Sequence, residues 1–236
     1  MSKHHGWVGP GSMIIITTED RKLLKALGLR SDHIYEMKYP AKYESLQILC
    51  QYAFGQKSPD HGFESLAWEV TTLAGDLPLG LRVMGSYLRG MSREEWIDAL
   101  PWLRFTLDRE IESTLRFSYD ALRDNERTLF LHLACFFAGF KVDRVKRYFA
   151  NSSLEVNHGL DVLAQKSLIS IEYGCVKMHI LLEKMGRQVV KKQSMENPAK
   201  PHFLTDTKDI SDALDEDAVT GNVLGIRLST SEKIQI

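Results

Sequence analysis

The sequence predicts a mainly α protein, a helical bundle followed by a winged-helix arrangement, with a fragment of an α/β layer in front of both. Three observations carry that prediction. Apolar residues recur at helical spacing through most of the stretch from Ala41 to Val190. Late in that stretch Ser170 to Tyr173 and Cys175 to Met178 alternate around Gly174, as a small hairpin does. Near the start, the continuous run Met13 to Ile16 reads as a strand buried on both faces.

The elements follow in order. After the Met13 to Ile16 strand, Asp20 to Leu29 predicts a short helix with Leu23, Leu24 and Leu27 on one side. His33 to Tyr39 alternates and predicts a second strand. One strand-helix-strand unit is part of a layer and cannot bury its own faces. Ala41 to Phe54 and Phe63 to Ala74 are helical; Gly75-Asp76 ends the second, and Leu77-Pro78 opens the next with proline in the first turn. Ser92 and Glu95 form a capping box ahead of Trp96, Leu100 and Leu103, completing a four-helix bundle.

A second unit begins after Asp108. Glu110 to Leu122 carries an apolar stripe, and Asp124 is the expected cap of the following helix, whose LFLHLACFFAGF stretch is apolar nearly all round and therefore central. Asp143 to Ala150 and Gly159 to Gln165 predict two short helices, then come the hairpin and a helix over Ile180 to Val190. The tail from Asn197 is polar, with Asp206, Asp209, Asp212, Asp215 and Asp217, and regains apolar alternation at Val223 to Leu228.

Composition narrows the function classes. Thirty basic residues against 31 acidic ones leave a formal charge of −1, which provides no general electrostatic footprint for nucleic acid. Arg144, Lys146 and Arg147 are the basic cluster near a candidate recognition helix, and Leu160 to Gln165 is not basic, so DNA binding is disfavoured. Cys50, Cys135 and Cys175 are widely spaced without a C-x-x-C pair, as expected of reduced thiols in the cytoplasm, or alternatively the nucleus. No apolar stretch approaches the ~18 residues of a membrane span. The histidines lack zinc spacing, so no metal is expected, and His132 reads as an interior residue. No Ser/His/Asp or Cys/His constellation can be assigned, since nothing in the sequence fixes which residues converge, and the expectation of no enzyme activity rests on the resemblance described below.

Two motifs bear on phosphate. Gly6 and Gly11 have P-loop glycine spacing, but Ser12 and Met13 stand where lysine and a hydroxyl are needed, and Pro10 lacks an N–H; the stretch reads as a turn. His179 follows the hairpin and opens a helix, where an anion is favoured; it is either a phosphate contact or a structural hairpin residue.

The order of motifs resembles the nucleotide-binding region (NB-ARC) of plant TIR-type leucine-rich-repeat disease-resistance proteins. Gly9 to Asp20 (GPGSMIIITTED) resembles the segment after the family's Walker B strand. Tyr39-Pro40-Ala41 through Phe54 resembles the next helical motif, and Gly75 to Leu81 (GDLPLGL) resembles its G-L-P-L motif. Leu129 to Phe137 is similar to the TIR-subclass motif, and Val176 to Ile180 occupies the place of M-H-D. The resemblance implies a remnant of an α/β P-loop NTPase sheet over residues 1–38, a helical bundle over 39–106, a winged helix over 107–195, and a linker toward leucine-rich repeats over 196–236. It implies an ADP/ATP switch in defence signalling, with Pro78 near adenine and His179 near the β-phosphate; Thr17, Thr18, Leu77 and Met178 are weaker nucleotide-binding candidates. Partners would be other resistance-receptor chains or domains of the same family, and an alternative role is an interaction module pairing with full-length relatives. This sequence departs from the pattern in three ways. Met13 stands where arginine is usual, Ile180 replaces the aspartate of M-H-D, and no P-loop or Walker B stretch precedes Gly9. Nucleotide binding by this chain alone is therefore expected to be lost or weak.

Overall fold

A computed structural model describes residue 9, residues 11–196, and the backbone of residues 202–204 and 223–226. Helices dominate: α1 (Arg21–Ala26), α2 (Lys42–Ala53), α3 (Glu64–Ala74), α4 (Pro78–Leu88), α5 (Arg93–Phe105), α6 (Arg109–Asp120), α7 (Asp124–His132), α8 (Val142–Tyr148), α9 (Val156–Gln165) and α10 (Ile180–Glu196). Strands β1 (Ser170–Glu172) and β2 (Cys175–Lys177) form an antiparallel hairpin. β3 (His202–Leu204) and β4 (Val223–Ile226) pair in parallel. Gly6, Pro10 and most of the tail, including its five aspartates, lie outside the described residues.

Local chemistry explains the helix ends. Ser92 and Glu95 exchange both capping bonds, Ser92 N–H to Glu95 Oε2 at 2.6 Å and Glu95 N–H to Ser92 Oγ at 3.2 Å. Pro78 occupies the first turn of α4, where its missing N–H leaves no helical bond unmade. Tyr173 and Gly174 both take positive φ, 51° and 74°, which matches the twist of a two-residue hairpin turn. In the bundle, Trp96 stacks on Phe54, meets Phe63 edge-on, and donates its indole N–H to Leu88 O at 3.1 Å. Its large ring is thus buried without an orphaned donor.

Several expectations need correction. Met13 to Ile16 is not a strand: the run is unpaired among the described residues, and Ile15 is 80% exposed. His33 to Tyr39 is not a strand either; a 3₁₀ turn covers Ser31–His33 and the remainder is irregular. A strand exists only when neighbours take up its backbone groups, and none does so among the described residues. The first helix is shorter than Asp20 to Leu29, with Asp20 Oδ1 capping Lys22 N–H at 2.8 Å. Arg123, not Asp124, caps α7, because Glu126 reaches back to accept the Arg123 N–H at 2.9 Å. Helix α9 begins at Val156 rather than Gly159, and α8 at Val142 rather than Asp143.

The LFLHLACFF stretch is also more than an α-helix. Leu133–Phe137 widens into a π-turn closed by Ala138 N–H to Leu133 O at 2.9 Å. The chain then turns at Gly139 and lies beside β2, with Gly139 N–H to Val176 O at 2.7 Å and Val176 N–H to Phe140 O at 2.9 Å. The hairpin thereby gains a third paired segment beside β2 and is anchored to the central helix.

A single hydrophobic cluster runs from Leu46 to Val190, crossing residue 106 without a break. Helix α10 contributes Leu181, Leu182, Met185, Val189 and Val190, each worth roughly 1.5–3 kcal/mol when fully buried. Its approach to the Leu133–Phe137 turn is set by Gly186, where a Cβ would come within 2.4 Å of Ala134 Cβ. Lys184, 7% exposed, donates from Nζ to Leu103 O at 2.5 Å, and Gln188 Nε2 donates to Phe105 O at 3.2 Å. Both satisfy carbonyls at the C-terminal end of α5, where positive charge is also favoured.

Two predictions follow from this packing. Gly186→Ala should lower stability in thermal denaturation by about 1–3 kcal/mol, although the same change in an open helix stabilises by about 1 kcal/mol. Burial pushes the Lys184 ammonium from 10.5 down to about 8, so between those values the unfolded chain binds more protons than the folded one. Stability should therefore rise with pH across that window, and Lys184→Met should flatten the rise in denaturant titrations.

Candidate functional site

The strongest candidate site is the joint where the start of α10 meets the turn between α3 and α4. Gly75 ends α3 in the left-handed conformation, φ 62° and ψ 32°, and Asp76 follows at φ 63°. Glycine is required at this point for two reasons. Its conformation disfavours a side chain, and a Cβ would lie 2.5 Å from Ile180 Cγ2 and 2.9 Å from the His179 ring.

His179 satisfies both ring nitrogens with backbone groups. Nδ1 accepts the Leu181 N–H at 3.2 Å, so the side chain caps α10. That leaves Nε2 to carry the proton, and it donates to Gly75 O at 2.7 Å, across 104 residues of sequence. Tyr39 stacks on the ring at a centroid distance of 5.2 Å. Burial lowers the imidazole pKa below 6.5, against weaker opposing pulls from Gly75 O and the Asp76 charge. The bonding adds a geometric constraint, since a second ring proton on Nδ1 would face the Leu181 N–H.

Around this contact lies a partly buried ion pair. Lys42 Nζ meets Asp76 Oδ2 at 2.6 Å, while Asp76 Oδ1 is buried without a hydrogen-bond partner. The pair ties the start of α2 to the Gly75-Asp76 turn. Ile180 packs toward Gly75, so apolar contact occupies the position after the histidine.

The structure thus brings Leu77, Pro78, Met178 and His179 into one neighbourhood. Leu77 and Met178 are half-buried against the core, and Pro78 is exposed at the start of α4. Thr17 and Thr18 are exposed on the N-terminal stretch, where Thr18 Oγ1 accepts the Asp20 N–H at 3.1 Å. Their neighbour Glu19 is bonded to α6 and to the residue after the α9 cap. His132 is interior as expected, with Nδ1 2.8 Å from Thr128 O and its ring edge-on to Phe149. A cavity of about 340 Å³ lies elsewhere, between the starts of α7 and α9, and includes none of the candidate residues. Among the described residues no metal-binding cluster occurs, and no helix is long and apolar enough to cross a membrane.

Sequence reasoning missed Tyr39, Lys42 and Asp76 as members of this joint. Only the G-D-L-P stretch hinted at a tight backbone approach, and no linear spacing could pair Lys42 with Asp76.

Comparison with known proteins decides the kinship. Residues 123–194 match the family described as disease resistance protein Roq1-like, winged-helix domain. The chain is 55% identical over 232 residues, 98% of its length, to the disease resistance-like protein DSC2 of Arabidopsis thaliana. It is 48% identical over 235 residues to the disease resistance protein TAO1 and 46% identical over 241 aligned residues to the probable disease resistance protein RPP1, both of the same plant. The chain is a homologue of plant disease-resistance proteins. It spans about a fifth of these relatives, 19–20% of each. The winged-helix match begins at Arg123, the cap of α7, and ends inside α10, so His179 and the hairpin lie within the matched region of this disease-resistance homologue.

Acidification should expose the role of the imidazole. Below pH 6.5 the unfolded chain protonates its histidines before the folded chain protonates His179 or His132, whose pKa burial also lowers. Stability should therefore fall as pH falls from 6.5 toward 5. His179→Asn, which keeps a capping acceptor but cannot titrate, should make that slope shallower; equal slopes in thermal melts would show that His179 does not contribute.

Proposed function

We propose that this chain is the helical and winged-helix part of an ADP/ATP switch in a plant immune receptor. On this reading residues 39–106 and 107–195 are two domains that close over a nucleotide. Residues 1–38 belong to the nucleotide-binding α/β domain, and residues 196–236 lead toward leucine-rich repeats. The part played here is conformational rather than catalytic, and the cellular location is the cytoplasm. The observation that carries the proposal is the 2.7 Å bond from His179 Nε2 to Gly75 O, which joins the two stretches resembling the family's nucleotide-sensing motifs. In this arrangement the donor that would meet a phosphate is held by the backbone. Phosphate contact then requires Nε2–H to leave Gly75 O, and that exchange gives the joint two alternative states.

Affinity arithmetic sets the expectation for the 236-residue chain. Micromolar binding needs about 8 kcal/mol, whereas one charged hydrogen bond supplies roughly 1.5–3 kcal/mol. Calorimetry should accordingly detect no micromolar ADP complex with this chain alone. Extending it upstream with P-loop sequence from a relative should restore ADP binding, and His179→Ala in that hybrid should weaken it by about five- to a hundredfold. Equal affinities with and without His179 would confine the residue to capping α10.

A further inference from the structure

We propose that Glu19 is a latch that straps the N-terminal stretch onto the winged helix, with Ser118 and Ser167 as its two catches. The two serines are far from Glu19 in sequence, by 99 and 148 residues, yet converge on it. Ser118 Oγ donates to Glu19 Oε1 at 2.5 Å, in the range of a charge-assisted O–H···O⁻ bond. Ser118 lies on α6 and is only 7% exposed, so the carboxylate reaches down to a hydroxyl at the edge of the core. Ser167 Oγ donates to the Glu19 carbonyl at 3.1 Å. Side chain and main chain of one residue are therefore held by two different parts of the winged helix.

Ser167 carries the second, independent sign. It has φ 56°, a left-handed conformation that favours glycine. It lies just past the α9 cap, where Leu168 N–H bonds Leu163 O at 3.0 Å and Ser167 N–H bonds Ala164 O at 3.2 Å. Helices commonly place glycine in this left-handed position after the cap. A serine there gives up backbone comfort, and what its side chain gains is the bond to Glu19. Among the described residues the stretch on either side of the latch is largely exposed, with Ile14, Ile15 and Ile16 before it and Tyr35 and Met37 after it facing outward. The latch itself is independent of nucleotide. Its consequence, that the strap releases when the switch opens, rests on the reading given under Proposed function.

The test uses the whole 236-residue chain, trypsin, and no nucleotide. Cleavage after Arg21 and Lys22 reports release of the strap. Ser118→Ala and Glu19→Ala should each speed that cleavage by about ten- to a hundredfold, the factor a hydrogen bond to a charged group supplies. The double variant should be no faster than the faster single one, because both remove the same bond. Ser167→Gly should also speed cleavage while leaving the melting temperature equal or higher, since glycine relieves the left-handed backbone. Cleavage at the wild-type rate in Ser118→Ala and Glu19→Ala would overturn the latch, as would fully additive effects in the double variant. Faster cleavage in Ser167→Gly accompanied by a lower melting temperature would make Ser167 a structural residue and overturn its role as a catch. Failure of the ADP experiment would leave these rates untouched, so the two ideas fail separately.

Discussion

His179 commits both of its ring nitrogens to main-chain groups, the Leu181 N–H at the start of α10 and the Gly75 carbonyl at the end of α3, and only a neutral imidazole can accept one bond while donating the other. One side chain thereby satisfies an orphan donor at one helix end and an orphan acceptor at another. Because the ring is partly buried, either group left unpaired would carry a desolvation cost of about 1–3 kcal/mol. The contact is consequently specific in geometry and sensitive to protonation. Lys184 performs a related task farther along α10, where its ammonium takes up Leu103 O at the end of α5.

The core makes this joint a unit. Gly186 lets α10 lie directly on Ala134, and Gly159 lets α9 lie on Leu129, where an added Cβ would be 2.6 Å from Leu129 Cδ2. Close-packed interiors of this kind do not deform continuously. His179 thus sits at the start of a helix whose packed face leaves little free space. The π-turn at Leu133–Phe137 lies against the same helix and ends in the segment that pairs with β2, so the hairpin that presents His179 is tied to α10's main packing partner.

The N-terminal stretch obeys different physics. Its apolar side chains find no core among the described residues, and polar contacts at Glu19 attach it to the winged helix. Hydrophobic attachment over a broad face is hard to reverse, whereas two hydrogen bonds can be broken at modest cost. Among the described residues the stretch is therefore held at Glu19 by hydrogen bonds to two serines more than by packing.

What the sequence determined by itself was local. The Ser92 and Glu95 box, proline at the start of α4 and the Tyr173-Gly174 turn each depend on residues within a few positions, so composition and spacing specify them. The apolar periodicity likewise specified the helices, and the order of motifs pointed to the kinship that comparison establishes. Tertiary structure alone decided the partners. Met13 to Ile16 has the composition of a strand but lacks pairing neighbours among the described residues, and strand formation is a property of the pair. His179 was legible as a candidate, but Gly75 O as the group that holds it was not, nor were Glu19 with Ser118 or Lys184 with Leu103. These bonds span 104, 99 and 81 residues, and no periodicity extends that far. They form because the core brings helix ends together and leaves their unpaired backbone groups and buried hydroxyls to find whatever polar side chain lies within reach.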